Sequence, residues 1–221
     1  MSLSFLSRYF LLFFFGMLIG GRLFHVFEHI AFFIKNPLDV FFIWDFQFSF
    51  FGVLYTLLVL LFFITRRARE DFWAWFDAAV LSLIAAMFLI HIGHFFNGTQ
   101  YGIPTSLPWG IAFDAQNIRF FHPIHPTQLY SSLLSLIFFI HFLKKSKRTH
   151  LSGVIGSMAL MFYSLSMLGI DFLRATSPLF YNKISFGLIA VFSFISLVHC
   201  SHKTYNQSAG SGHERQNNQT S

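Results

Sequence analysis

The side chains best suited to chemistry in this sequence are histidines, and they come in close pairs. HVFEH at 25–29 places His25 and His29 on one helical face with Glu28 beside them, and Arg22 extends that face at i−3 from His25. HIGH at 91–94 makes His91 and His94 i, i+3 neighbours, and HPIH adds His122 and His125. The H-x-x-E-H spacing can present two imidazoles to a metal, with His25, Glu28 and His29 as ligands and His91 and His94 completing the site. The alternative is charge pairing, in which Glu28 is satisfied by Arg22 or a histidine because a buried charge needs a partner. Both readings stand on the sequence alone, and no cofactor other than that metal ion is implied.

The elements that must position these groups are membrane helices. Of 221 residues, 55% are apolar and 20% aromatic, with 34 Phe, while only 11% are charged; a soluble domain carries roughly 25% charged residues. Too little polar surface remains to coat a water-soluble globule. A spanning helix needs about 20 mostly apolar residues, and six segments approach that length: 9–31, 46–64, 73–96, 123–143, 152–173 and 184–200. The expectation is an all-α, polytopic bundle over residues 1–200. Residues 201–221, SHKTYNQSAGSGHERQNNQTS, hold almost nothing apolar and read as a disordered, solvated tail. Arg8 before Phe10 to Phe15 resembles a signal-peptide start, but no A-x-A site follows and the apolar run continues past Arg22. Cys200, the single cysteine, cannot form an intrachain disulfide and reads as a small hydrophobe.

Charge placement sets the expected orientation. The net charge of +6 comes from 15 Lys and Arg against 9 Asp and Glu, and its clustering in short runs between apolar segments speaks for membrane topology rather than nucleic-acid binding. Arg8, Arg66, Arg67, Arg69, Lys144, Lys145, Lys147, Arg148, Lys203 and Arg215 fall on one side. Lys35, Arg119, Arg174 and Lys183 fall on the other, and Arg22 lies within the first span. The positive-inside rule then puts both termini in the cytoplasm. On the opposite side collect His25, His29, His91, His94, His122 and His125, with Asp45, Asp171 and Arg174, which predicts a polar cavity opening outward. The loop NGTQYGIPTSLPWG at 97–110 reads equally as a lid or as a structured interfacial loop. HPIHPTQLY at 122–130 places Pro123 and Pro126 where a helix start tolerates them, leaving His125, Thr127, Gln128 and Tyr130 at the rim.

NGTQYGIPTSLPWGIAF followed by HPTQLY resembles the prolipoprotein diacylglyceryl transferases of bacterial inner membranes. The likeness extends in order over residues 20–200: GRLFHVFEH resembles the family's G-A-R-L-G-Y-V-L-F-Y, and KNPLDVFFIWDFQFSFFGVL its N-P-L-E-I-x-x-x-W-E-G-G-M-S-F-H-G-G-L. Asp77 matches the start of D-x-x-A-P, IHIGHFFNGTQYG follows G-R-I-G-N-F-I-N-G-E-L-Y-G without a gap, and FYSLSMLGIDFLR follows Y-G-L-F-R-F-L-I-E-F-F-R. The family has one further N-terminal span, whose motif is not matched in residues 1–20. The resemblance implies transfer of a diacylglyceryl group from phosphatidylglycerol to a lipobox cysteine thiol of a prolipoprotein, with release of glycerol phosphate at the outer face.

Within that resemblance the charged centre is changed. Phe51 stands at the histidine of S-F-H-G-G, His91 and His94 at the arginine and asparagine of G-R-x-G-N, Thr99 at the glutamate of N-G-E, and Met167 at an arginine. Arg22, Asn97, Gly98, Tyr101, Gly102, His125, Pro126, Gln128, Tyr130 and Arg174 match, and Asp171 replaces a glutamate. The resemblance therefore implies substrate binding by Arg22, Asn97, Gly98, Tyr101, Gly102, His125, Gln128, Tyr130, Asp171 and Arg174, with His91 or His94 as replacement base. Three readings follow: a transferase acting on phosphatidylglycerol, the same scaffold with other and metal-dependent chemistry, and a non-catalytic binder of phospholipid or lipoprotein precursor. Phe51→His with Met167→Arg is expected to raise transfer if the framework is intact.

Overall fold

The computed structural model describes residues 3–42, 44, 47–112, 122–148, 151–175 and 181–217; Asp45 and Arg119, expected near the polar end, lie outside them. The described residues form α1 (Leu3–Glu28), α2 (Ile30–Lys35), a 3-10 turn (Pro37–Phe41), α3 (Phe50–Ala68), α4 (Phe72–Phe96), α5 (Thr127–Ser146), α6 (Val154–Asp171) and α7 (Tyr181–Asn217). The all-helical expectation holds, for pairing outside helices amounts to isolated β-bridges.

Five of the six expected spans are long and apolar enough to cross a membrane: Ser4–Glu28, Phe50–Ala68, Phe72–Phe96, Val154–Asp171 and Asn182–His202. The other, α5, has 20 residues, about 30 Å of helix, but its apolar character is diluted. Thr127, Gln128, Ser131, Ser132 and Ser135 form a polar stripe that is buried, so α5 turns its hydrophilic face inward. Large apolar side chains elsewhere, including Leu11, Phe63, Leu89 and Leu188, are exposed, as lipid-facing positions must be. Helix α7 continues to Asn217, through the segment whose composition predicts a disordered tail. Extending a formed helix avoids the nucleation cost that a free segment would meet.

The chain divides into two compact units, Met1–Phe76 and Asp77–Ser221. In the first, α1 packs on α3 through glycine. A Cβ on Gly16 would collide with Leu60, one on Gly20 with Thr56, and one on Gly21 would lie 2.7 Å from Val53 Cγ2. Gly16 and Gly20 form a G-x-x-x-G step, which lets helix backbones approach where lipid supplies no hydrophobic drive. Ser49 caps α3, its hydroxyl accepting from Gly52 N at 3.2 Å. The other end closes with Arg69 at φ 57 and Glu70 N donating to Thr65 O at 3.0 Å.

In the second unit α6 packs against α5 and α7. Its N-terminus follows Gly153 at φ 87 and has no side-chain cap of its own. The Asp77 carboxylate of α4 supplies one, accepting from Gly153 N at 2.8 Å and Gly156 N at 2.6 Å. A carboxylate there meets both unsatisfied N–H groups and the positive end of the helix dipole.

Candidate functional site

In the first unit α1 ends at Glu28, and His29 leaves helical geometry at φ −117, ψ 33 before α2 begins. That break brings the His29 ring to 4.4 Å from the His25 ring, centroid to centroid. One nitrogen of each histidine and one oxygen of Glu28 lie within 4.8 Å of one another. Ser49 Oγ donates a short hydrogen bond to Glu28 Oε1. Arg22, only 4% exposed, spends its guanidinium on the following segment: Nε donates to Val40 O at 3.2 Å, one terminal nitrogen to Gln47 O at 3.1 Å and the other to Asp39 O. Its plane also lies 5.5 Å from the Phe33 ring. Three carbonyls thus take donors that the resemblance assigns to substrate. Phe51, at the position of the family's histidine, is buried.

The second unit gathers the other expected residues around the end of α4. Its loop is held by a clasp of three chain segments. Gly102 N donates to His125 O, His125 N to Ile103 O, Ile103 N to Leu173 O and Ala175 N to Tyr101 O, at 2.9–3.0 Å. Gly102 is needed at the crossing, because a Cβ there would lie 2.6 Å from both His125 Cβ and His125 O. Side chains reinforce the clasp: Gln128 Nε2 donates to Thr99 O at 2.7 Å and Thr127 Oγ1 to Gln100 O at 2.6 Å. Gly98 at φ 60 and Gln100 at φ 54 provide the left-handed turns, and the second is costly for a non-glycine residue.

The two candidate bases are engaged differently. His94 is tied at both nitrogens, Nδ1 to Thr99 Oγ1 at 2.8 Å and Nε2 to Gln100 Nε2 at 3.1 Å. Thr99 Oγ1 donates to His94 O at 3.5 Å, which makes Nδ1–H the donor to Thr99 and leaves Nε2 accepting from the Gln100 amide. His91, 5% exposed, has Nε2 at 3.5 Å from Tyr163 OH, while its Nδ1 is buried with no hydrogen-bond partner among the described residues. Arg174, just beyond α6, lies 3.8 Å from Asp171 Oδ1 and donates to Ser131 Oγ at 3.2 Å, its Nε buried with no hydrogen-bond partner among the described residues. Burial presses the Arg174 guanidinium below its ordinary pKa, while Asp171 and Tyr163 act in the opposite sense. The charge acts electrostatically on both His91 and His94.

His91, His94, Tyr101, Gly102, His125, Gln128, Asp171 and Arg174 therefore belong to one unit, and Arg22, His25, Glu28 and His29 to the other. Asn97 is exposed at the end of α4's turn, and Tyr130 OH lies 3.3 Å from His125 Nδ1. Met167 is 1% exposed. Sequence reasoning missed Tyr163, Ser131 and Gln100. Tyr163, Met167 and Asp171 recur every four residues on α6, and Gln128, Ser131, Ser132 and Ser135 follow the helical period on α5. That periodicity is the signal that would have found the first two.

Helices long and apolar enough to cross a membrane several times, with a buried arginine and histidine behind a loop clasp, define a polytopic membrane protein with a polar centre. The chain belongs to the prolipoprotein diacylglyceryl transferase family, whose model matches residues 3–201, reaching further toward the N-terminus than the motifs alone. It is similar to a phosphatidylglycerol–prolipoprotein diacylglyceryl transferase of Solidesulfovibrio magneticus, 30% identical over 185 residues, covering 82% of this chain and 69% of that protein. The proteins of the same name from Nitratidesulfovibrio vulgaris and Tropheryma whipplei are each 30% identical over 166 and 183 residues. Those matches cover 74% and 78% of this chain but 62% and 65% of the relatives, so the chain spans about two thirds of the length of the curated relatives it matches.

Proposed function

We propose that the chain transfers a diacylglyceryl group from phosphatidylglycerol to a prolipoprotein thiol, using a centre built from His91 and Arg174. The observation that carries this reading is the presence, in one unit, of a buried imidazole nitrogen and a buried guanidinium Nε that have no hydrogen-bond partner among the described residues. In this scheme His91 Nδ1 takes the thiol proton, and the sulfur attacks the glyceryl carbon that bears the phosphate. The carbon–oxygen bond breaks, a thioether forms, and glycerol phosphate leaves with the electron pair, its charge met by Arg174. Asp171 and Ser131 orient that guanidinium. His94 is the weaker choice of base because both its nitrogens hold the loop.

The reading places the protein in a bacterial inner membrane, with both termini cytoplasmic and the centre facing outward, as the distribution of basic residues supports. A second reading has its own observation: Phe51 and Met167 are buried and apolar where the family motifs carry histidine and arginine. It makes the chain a phospholipid or precursor binder without turnover. One assay separates the two. Purified protein, phosphatidylglycerol vesicles and a lipobox peptide are incubated, and the peptide is weighed for a diacylglyceryl thioether. Product that vanishes in His91→Ala supports transfer; no product from folded protein that still binds the vesicles supports the binder.

A further inference from the structure

The first unit holds a donor set that the transfer scheme does not use. We propose that His25, Glu28 and His29 form a binding site for a divalent transition-metal cation of the zinc class, spanning the break between α1 and α2. Two imidazoles and one carboxylate are borderline donors that suit zinc, whereas magnesium and calcium favour all-oxygen shells. The three ligand atoms lie within 4.8 Å of one another. Tetrahedral zinc with bonds near 2.1 Å needs ligand separations of about 3.4 Å. Closing the difference takes side-chain rotation of little more than 1 Å, and a fourth position stays open to water.

The surroundings prepare the ligands. The His29 N–H and His29 Nδ1 both lie 3.1 Å from His25 O. A carbonyl only accepts, so Nδ1 carries the proton and Nε2 keeps the lone pair that a metal needs. Ser49 Oγ holds one oxygen of Glu28, and the Gln47 side chain hydrogen-bonds His25. Each ligand side chain is thus held by a group that does not itself ligate, His29 by the backbone carbonyl of His25, the arrangement that orients metal ligands. Arg22 lies one turn away and opposes a second cation, but its donors are directed to the carbonyls of residues 39, 40 and 47. His29 is exposed, which gives an ion a route in.

The site is tested on the full chain, without an affinity tag, in lipid nanodiscs by calorimetric titration with Zn2+ alone. One equivalent should bind, with affinity falling at least tenfold in His29→Ala and in Glu28→Gln while His91→Ala binds as the parent does. His29 is exposed, so its truncation leaves the fold intact. Hydrogen exchange of residues 29–36 should slow when Zn2+ is added to the parent and not to His29→Ala. No binding by the parent, or binding unaltered in both His29→Ala and Glu28→Gln, overturns the site. Loss in His91→Ala alone overturns it too, by moving the metal to the other histidines. No lipobox peptide enters this titration and no transfer is read, so its outcome is independent of the transfer assay.

Discussion

Replacing Asp77 tests whether a carboxylate on α4 sets the start of α6. The side chain accepts two backbone hydrogen bonds, at 2.8 Å from Gly153 N and 2.6 Å from Gly156 N. Hydrogen bonds to a charged group contribute about 1.5–3 kcal/mol each, and a negative charge at a helix N-terminus adds about 0.3–1 kcal/mol. The site is only part-buried, so water recovers roughly half of this in the variant, leaving a cost of about 2 kcal/mol for Asp77→Ala. Asp77→Asn keeps one good acceptor oxygen and no charge, and should cost about 1 kcal/mol. Because 1.4 kcal/mol is a factor of ten, hydrogen exchange in a peptide spanning residues 152–158 should accelerate about 30-fold in the alanine variant and roughly fivefold in the asparagine variant. Exchange within twofold of the parent in Asp77→Ala, or asparagine no better than alanine, would refute the cap. The Asp171 end of α6 is 18 residues away, about 27 Å, so vesicle binding should change far less than exchange does.

The remaining expectations concern packing and buried charge. Arg22→Ala takes a charged donor from three carbonyls, of which Asp39 O keeps Phe42 N, and should destabilise the first unit by about 3 kcal/mol; limited proteolysis should then cut residues 36–49 faster, with Arg22→Lys intermediate because an ammonium cannot span all three. Gly20→Ala drives a Cβ into Thr56, whereas a Cβ on Gly169 meets nothing within 4 Å. Denaturation in mixed micelles should show the first variant about 1–3 kcal/mol less stable and the second unchanged or up to about 1 kcal/mol more stable. Met167→Arg puts a charge where the side chain is 1% exposed, and the same assay should show a loss of about 3 kcal/mol or more. Any gain in transfer from Phe51→His with Met167→Arg must therefore exceed that structural cost.

Length and hydropathy made five spans legible, and the polar stripe of α5 explains why the remaining expected segment is more hydrophilic than its neighbours. Span alternation put residues 97–110 and 122–130 on the same side of the membrane, and the structure joins them through backbone hydrogen bonds. The roles of single side chains were less legible. Nothing in GRLFH says that the arginine will meet the carbonyls of residues 39, 40 and 47, since those oxygens are brought to it only by the fold. The separation of His91 from His94 was equally hidden, because it depends on Thr99 and Gln100 curling back through two left-handed turns. The glycine step at 16 and 20 was in plain view, but spacing alone does not name the partner, Thr56 and Leu60 on α3.

The clasp around Gly102 has a consequence for how the protein is made. Its three segments lie far apart in sequence, with Gly102 and Arg174 separated by roughly 70 residues, and such contacts form only after the intervening chain is placed. During synthesis the loop at 97–105 is released first and pairs with residues 123–125 as α5 follows, but its bonds to residues 173–175 must wait until α6 is inserted. Residues 173–175 then supply the last edge. A chain halted before that point has α4, its loop and the edge at 123–125 but lacks the edge that closes the clasp, so its centre is completed as one of the last events of insertion. Protease sensitivity of residues 97–105 in nascent chains of increasing length would mark that moment as a sharp loss of cleavage once residue 175 has entered the membrane.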